Sequence, residues 1–215
     1  MLTMIKRTRL GELAIIYQLI TPPINRQNIK KVHQVYYALK ELDLAYYGIL
    51  DIVPSYSDIT IHLAITSPLL GDDSFIMELI KSVMANCDSS VAKAKTHLIP
   101  VCYDGEDLGE IIAYHNISRG ELIKLHSEPE YLIAMLGFRP YFPYLLGLNS
   151  KLHLPRRSTP RLMVRAGTVA IGGEQTGIYT TASPAGWHII GHTEFTDFAS
   201  FRCGDTIKFS NVENK

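Results

Sequence analysis

The chain has 215 residues, of which 47% are hydrophobic, with 21 Lys plus Arg against 21 Asp plus Glu and a formal net charge of zero. That length and apolar content describe a folded protein of one large or two small domains and exclude an intrinsically disordered chain. The balanced charge excludes a protein that coats nucleic acid or an anionic membrane over its whole surface.

In chain order, Lys6, Arg7 and Arg9 precede the apolar run Leu13 to Ile20, in outline a signal peptide. Glu12 and Gln18 interrupt the run and no small-residue cleavage site follows, so a signal peptide is not expected. Leu13 to Tyr17 reads as a strand ended by Pro22-Pro23. Ile29, Val32, Val35, Tyr36 and Leu39 then recur at helical spacing. Tyr46 to Val53 predicts a strand, Pro54 to Asp58 a turn, and the alternation of Ile59, Ile61, Leu63 and Ile65 a half-buried strand. Asp72, Asp73 and Ser74 offer N-caps for a helix burying Phe75, Ile76, Leu79, Ile80, Val83 and Met84. Thr96 to Tyr103 follows as a strand. The order β-α-β-β-α-β predicts a ferredoxin-like α+β arrangement.

Glycine is unevenly spread, with 12 of the 15 in residues 101–215. The expected division is therefore an N-terminal α+β domain over 1–94 and a β-barrel domain over 95–215. Ser118-Arg119-Gly120-Glu121 is a capping box flanked by Ile117 and Leu122, which starts one short helix. Beyond it, short β-rich pieces (Met163-Val164, Thr168 to Ile171, Gly177 to Thr180, Trp187 to Ile190, Thr206 to Phe209) separated by Gly and Pro turns predict an all-β barrel or sandwich.

Chemistry-bearing motifs are sparse. There is no P-loop and no strand followed by G-x-G-x-x-G. Gly172-Gly173-Glu174-Gln175-Thr176-Gly177 reads either as a hairpin turn or as a backbone cradle for an anion. Cys87, Cys102 and Cys203 form no C-x-x-C pair, so neither a disulfide framework nor a zinc knuckle is expected, and a reducing cytoplasm is the natural setting. His188 and His192, four apart, would lie roughly 13 Å from each other in a strand, so no metal site is expected. His126 closes the capped helix, where a dipole-stabilised imidazolium and a catalytic role are both open. Arg156-Arg157-Ser158-Thr159-Pro160-Arg161 is the densest basic cluster, read either as a solvated loop or as an anion site with hydroxyl donors. Phe138, Tyr141, Phe142 and Tyr144 look like core rather than a nucleic-acid stacking platform, and Trp187 like a barrel core residue. No apolar stretch is long enough to cross a membrane.

Five motifs then stand in one order: Leu125-His126-Ser127-Glu128-Pro129-Glu130-Tyr131, Gly137-Phe138-Arg139-Pro140-Tyr141-Phe142-Pro143-Tyr144, Arg157-Ser158-Thr159-Pro160-Arg161, Gly173-Glu174-Gln175-Thr176-Gly177-Ile178-Tyr179 and Gly186-Trp187-His188-Ile189-Ile190-Gly191. With Ile52-Val53-Pro54-Ser55-Tyr56 in the first half, they resemble the family of 5-oxoprolinase B subunits, also called allophanate hydrolase subunit 1 or KipI-type kinase inhibitors. The resemblance implies a cyclophilin-like C-terminal barrel and an ATP-dependent opening of 5-oxo-L-proline to L-glutamate. It implies a complex with the C subunit of 5-oxoprolinase, similar to allophanate hydrolase subunit 2, and with the A subunit, ATP being held somewhere in that complex. A sensor histidine kinase as partner, or a carboxyl-transfer role in an allophanate or urea pathway, are the alternatives the family names carry. Residue by residue, it implies catalytic roles for His126, Arg161 and Glu174, and substrate or anion contacts at Arg157, Thr159, Gln175, Thr176 and Tyr179. Where family members carry G-F-x-P-G-F-P-Y-L-G-G, this chain has Tyr141 and Leu146 at two glycine positions. It has His192 where an arginine is common, and Gly11-Glu12-Leu13-Ala14 in place of G-D-S-A.

The zero net charge is a cancellation. Residues 131–173 hold Arg139, Lys151, Arg156, Arg157, Arg161 and Arg165 and no acidic residue, a block of +6 against −6 elsewhere, and the block coincides with the family's central motifs.

Overall fold

A computed structural model describes residues 5–86 and 94–213. The chain divides into two compact units, 1–93 and 94–215.

In the first unit, strands β1 (Lys6–Leu10) and β2 (Ala14–Gln18) form a hairpin, followed by helix α1 (Arg26–Lys40), strands β3 (Ile49–Pro54) and β4 (Asp58–Leu63), and helix α2 (Ser74–Ala85). The sheet order is β1-β2-β4-β3, antiparallel throughout. Its core combines Ile15, Tyr17, Ile59 and Ile61 of the sheet with Val32, Val35 and Leu39 of α1 and Ile76 and Ile80 of α2. Phe75, expected in the stripe of α2, is exposed and stacks on Tyr47 instead.

The ferredoxin-like β-α-β-β-α-β order does not close in this unit. The sheet edge beside β2, which the returning fourth strand of that order would take, is occupied by β1, folded back through Gly11 (φ +61°). The basic run at Lys6 to Arg9 is therefore an exposed edge strand. That fourth strand, β5 (Thr96–Val101), pairs in the second unit, where its alternate residues Ile99 and Val101 join the barrel core.

The second unit continues with α3 (Leu108–His115), α4 (Arg119–Ser127), β6 (Glu130–Leu136), β7 (Pro143–Leu146), β8 (Arg161–Val164), β9 (Thr168–Gly172), β10 (Gln175–Ile178), β11 (Ser183–Ala185), β12 (His188–His192) and β13 (Thr206–Asn211). Of the two helices, α4 is the one expected from the capping box, and α3 is an addition to the expected barrel. Ser118 caps α4 as the capping box requires, its hydroxyl accepting from the Glu121 N–H at 3.1 Å. Seven strands form one mixed sheet in the order β12-β9-β10-β7-β6-β13-β5, with β5 and β13 parallel, and β8 pairs with β11 separately.

The edges of the seven-stranded sheet meet, making a nearly closed barrel. Cys102, just after β5, exchanges both backbone hydrogen bonds with His192 at 2.9 Å, and the N–H groups of Gly105 and Asp107 donate to the carbonyls of Ile190 and Ile189 at 3.2 Å. This seam leaves no room for side chains. A Cβ on Gly105 would lie 2.3 Å from the Ile189 carbonyl oxygen, and one on Gly191 2.2 Å from that of Cys102. Closing the seam brings residues 104–110 onto the end of β12, where the charged site forms.

Candidate functional site

Residues 104–110 carry Asp104, Glu106, Asp107 and Glu110. Asp107 is the hub. Its side chain is 4% exposed; Oδ1 accepts from Arg157 Nη1 at 2.8 Å and from Arg161 Nη2 at 2.7 Å, and Oδ2 accepts from the Ile189 N–H at 2.7 Å. Arg161 Nε reaches Glu106 at 2.8 Å and Arg157 Nη1 reaches Glu110 at 3.1 Å. Although Asp107 stands at the N-terminus of α3, its side chain caps no helical N–H, because the arginines and β12 use it. The hydrogen bond to Asp107 holds the Arg161 pKa above its ordinary value.

Two donors of this cluster remain unused. Arg157 Nε and Arg161 Nη1 are buried without a hydrogen-bond partner, as is Nδ1 of His188. His188 Nε2 lies 3.0 Å from the Pro155 carbonyl, which makes that nitrogen the donor, and Nδ1 lies 3.8 Å from Glu110. Asp107, Glu110 and His188 bring ligand atoms within 4.8 Å of one another. A divalent cation there would face two guanidinium groups bound to Asp107, so the donor set suits an anion better than a metal. Beside the cluster lies a cleft of about 320 Å³ lined by Asp104, Glu106, Met163, Arg165, Ile189 and His192. His192, at the position where an arginine is common, contacts Asp104 at 3.3 Å and Glu194 at 3.0 Å.

The sequence-predicted residues fall in five separate places. Arg157 and Arg161 meet in the cluster. His126 does not reach it and is fully buried in the barrel core. The Tyr103 hydroxyl donates to His126 Nδ1 at 2.8 Å, His126 Nε2–H donates to Thr176 Oγ1 at 2.9 Å, and the Thr176 hydroxyl donates to the Ala170 carbonyl at 3.0 Å. The ring also stacks on Phe209 at 4.7 Å. Burial pushes its pKa down to about 3. His126 thus spends both ring nitrogens inside the core, and Thr176 belongs to the same buried chain.

Glu174 sits exposed in the β9–β10 hairpin turn with Gln175 half-buried beside it, so Gly172 to Gly177 is a hairpin, with Gly173 at φ +66°. Glu174 has no ion pair with the arginines and no hydrogen bond to His126. Thr159 is exposed on the loop before β8. Tyr179 lies in an aromatic cluster with Phe142, Val164, Ala185 and Trp187. Tyr141 has φ +63°, so the loop does require the left-handed conformation that glycine supplies in the family motif, and here a tyrosine adopts it. Sequence reasoning missed Asp107 and His188 as members of the cluster. The density of four carboxylates in seven residues, opposite in sign to the 131–173 block, was the available signal.

Residues 5–206 match the family model described as carboxyltransferase domain, subdomain C and D. A protein from Escherichia coli O157:H7 named as the B subunit of 5-oxoprolinase is 33% identical over 213 residues, 93% of this chain and 93% of that one. Its namesake from Haemophilus influenzae is 39% identical over 158 residues, 69% of this chain and 74% of that one. Among solved structures, that of TTHA0988 matches with a TM-score of 0.79 at 28% identity, covering 94% of this chain, which spans 40% of that neighbour's length. The Kluyveromyces lactis urea amidolyase shares the fold, with a TM-score of 0.75 at 13% identity.

Proposed function

The chain belongs to the carboxyltransferase-domain family, subdomains C and D, and on that premise we propose that it is the B subunit of a 5-oxoprolinase complex, which opens 5-oxo-L-proline to L-glutamate with ATP. The observation that carries this reading is the similarity to the Escherichia coli B subunit over 93% of both chains. The A and C subunits are the partners, and ATP is held within the assembly. No helix among the described residues is long and apolar enough to cross a membrane. Cys102 and Cys203 keep their thiols rather than forming a disulfide, as a reducing cytoplasm allows.

The lactam is a poor electrophile, so ATP activates it by phosphorylating the carbonyl oxygen before water attacks the ring carbon. Negative charge develops on oxygen in both steps, and fixed donors in a site shielded from water stabilise such charge without reorganising. Arg157 Nε and Arg161 Nη1 are donors of that kind, held in place by Asp107 and free of any partner of their own. The imidazole beside them is that of His188, whose buried Nδ1 has no hydrogen-bond partner. Thr159 and Glu174 are exposed on a bend and a turn, Gln175 opens β10 beside Glu174, and the three contribute contacts to ligand delivered by the partner subunits. For the carboxyl-transfer alternative, the likeness to the urea amidolyase is one of fold alone, and a kinase-inhibitor role has no observation of its own among the described residues.

The test is 5-oxoproline-dependent ADP release by the chain mixed with the A and C subunits. Arg161→Ala is the informative variant, because Asp107 keeps Arg157 and the Ile189 N–H as partners and the seam survives. A fall in kcat of about 10²-fold or more is expected from losing one charge-stabilising donor; unchanged turnover would remove the arginine cluster from the mechanism.

A further inference from the structure

Residues 155–157 run extended, so consecutive side chains point to opposite sides. Arg157 turns toward Asp107 and Glu110, while Arg156 lies over the Trp187 ring, its Cζ 5.9 Å from the centroid. The facing segment alternates likewise: Trp187 lies with Arg156, and His188 lies beside Glu110. The Arg157 N–H donates to the Gly186 carbonyl at 2.8 Å and ties the two segments together. One pair of strand-like segments therefore separates the charged cluster from a second chamber.

That chamber is a cavity of about 240 Å³ lined by Phe142, Tyr144, Arg156, Pro160, Tyr179 and Trp187. Trp187 forms its floor, pressed against Gly172, where an added Cβ would lie 2.7 Å from the indole. The Phe142 ring meets Tyr144, Tyr179 and Trp187 edge to face at 5.0, 5.1 and 5.8 Å. The rim loop is tethered by the Thr180 hydroxyl, which donates to the Pro140 carbonyl at 2.7 Å. The walls are rigid, apolar and preformed, as in small-molecule sites, and the volume is below the range of about 300–1,000 Å³ that drug-sized ligands need.

The polar groups of the chamber are what define its ligand. Among the described residues Arg156 makes no ion pair, in contrast to Arg157 and Arg161. Its cation–π contact is at the outer limit of such interactions, near 6 Å, so the guanidinium is free to turn onto an anion. The phenols of Tyr144 and Tyr179 both feel its charge, and burial keeps Tyr179 protonated with a pKa pushed up to about 12. An unpaired arginine fork over an aromatic floor, with phenol donors alongside, matches a flat ring that carries one carboxylate and one carbonyl.

We propose that this chamber captures a small cyclic amide bearing a carboxylate, with the ring against Trp187 and Phe142 and the carboxylate on Arg156. The inference rests on the 5-oxoprolinase reading and gives it a capture pocket with an uncommitted cation. Capture by Arg156 is then a step apart from the charge stabilisation by Arg157 and Arg161 on the other side of the two segments.

Trp187 is the chain's one tryptophan, so intrinsic fluorescence of the full chain reports on this chamber directly. Titration with 5-oxoproline is expected to give a saturable change, and Arg156→Gln to weaken it by roughly tenfold or more, the worth of a charge-assisted fork. The neutral analogue 2-pyrrolidone, which lacks the carboxylate, is expected to bind wild type and Arg156→Gln equally. In the reconstituted complex Arg156→Gln raises KM by the same factor with kcat little changed. Turnover of 5-oxoproline with neither KM nor fluorescence affinity altered by Arg156→Gln overturns the chamber and leaves the 5-oxoprolinase reading standing. Arg156-dependent binding without turnover in the complete complex supports the chamber and sinks that reading.

Discussion

The buried His126 chain makes a quantitative prediction about acid stability. Its imidazole is neutral in the fold, with a pKa near 3 against 6.5 in an unfolded chain. A folded pKa below the unfolded one means that the unfolded chain binds one more proton between those two values, so stability is fully present above pH 6.5 and is lost as the pH falls toward 3. The limiting slope for one such group is about 1.4 kcal/mol per pH unit, reached below pH 6.5, so lowering the pH from 6.5 to 4.5 removes about 2 kcal/mol. The comparison is with His126→Gln, which retains amide hydrogen-bonding capacity and does not titrate. Urea unfolding at pH 7.5, 6.5, 5.5 and 4.5 should show the variant less stable at pH 7.5, because the stack on Phe209 and the bonds to Tyr103 and Thr176 are disturbed. Below pH 6.5 the wild-type curve should fall more steeply, by about 1.4 kcal/mol per unit, and the two curves converge. Carboxylates common to both proteins cancel in the difference. Parallel curves would mean that His126 is protonated in the fold or open to water, and the argument for a neutral structural histidine would fail.

Asp107→Ala leaves two guanidinium groups and the Ile189 N–H without their shared acceptor, and a loss of about 3–5 kcal/mol is expected from breaking such a buried ion pair; denaturant midpoints with a change below about 1 kcal/mol would show that the cluster is effectively solvated. Tyr141→Gly relieves about 1–2 kcal/mol of left-handed strain and returns about 0.5–1 kcal/mol in chain entropy. A net gain of up to about 1 kcal/mol should therefore appear as a raised Tm, and a lowered Tm would show that packing of the Tyr141 ring outweighs its backbone strain.

Local signals carried much of the architecture. The capping box at Ser118 and Glu121 forms as read, and the alternation of Ile59, Ile61 and Leu63 places all three in the core. What local pattern does not encode is which edge a strand will join. Thr96 to Val101 is a strand in either reading, but its partner, Thr206–Asn211, lies 110 residues away. Helix α3 escaped notice because its first residues, Asp107-Leu108-Gly109-Glu110, combine a glycine with a potential cap whose side chain is engaged by distant arginines. His126 shows a different limit. Residue type and motif marked it for chemistry, whereas burial, a property of the closed barrel, assigns it to the core.

The charge distribution ties these observations together. A block of +6 could have formed one extended basic face, yet closure of the barrel seam lays residues 104–110 against it. Glu106, Asp107 and Glu110 take up Arg157 and Arg161, and Lys151 lies 3.8 Å from Glu121. Arg139, Arg156 and Arg165 are left without ion pairs among the described residues. Arg165 borders the cleft beside the cluster, Arg139 lies over Phe138 at the rim of the aromatic chamber, and Arg156 reaches inside it. Pairing therefore sorts chemically identical side chains into two roles. The arginines fixed by carboxylates are preorganised and cannot follow a moving ligand, which suits stabilising charge at one point in space. The unpaired ones keep their full charge and their freedom to turn, which suits capturing an anion on arrival. Adjacent residues, Arg156 and Arg157, fall on opposite sides of that division because an extended backbone alternates its side chains, so two arginines that look equivalent in the sequence are expected to differ in kinetics: one in KM, the other in kcat.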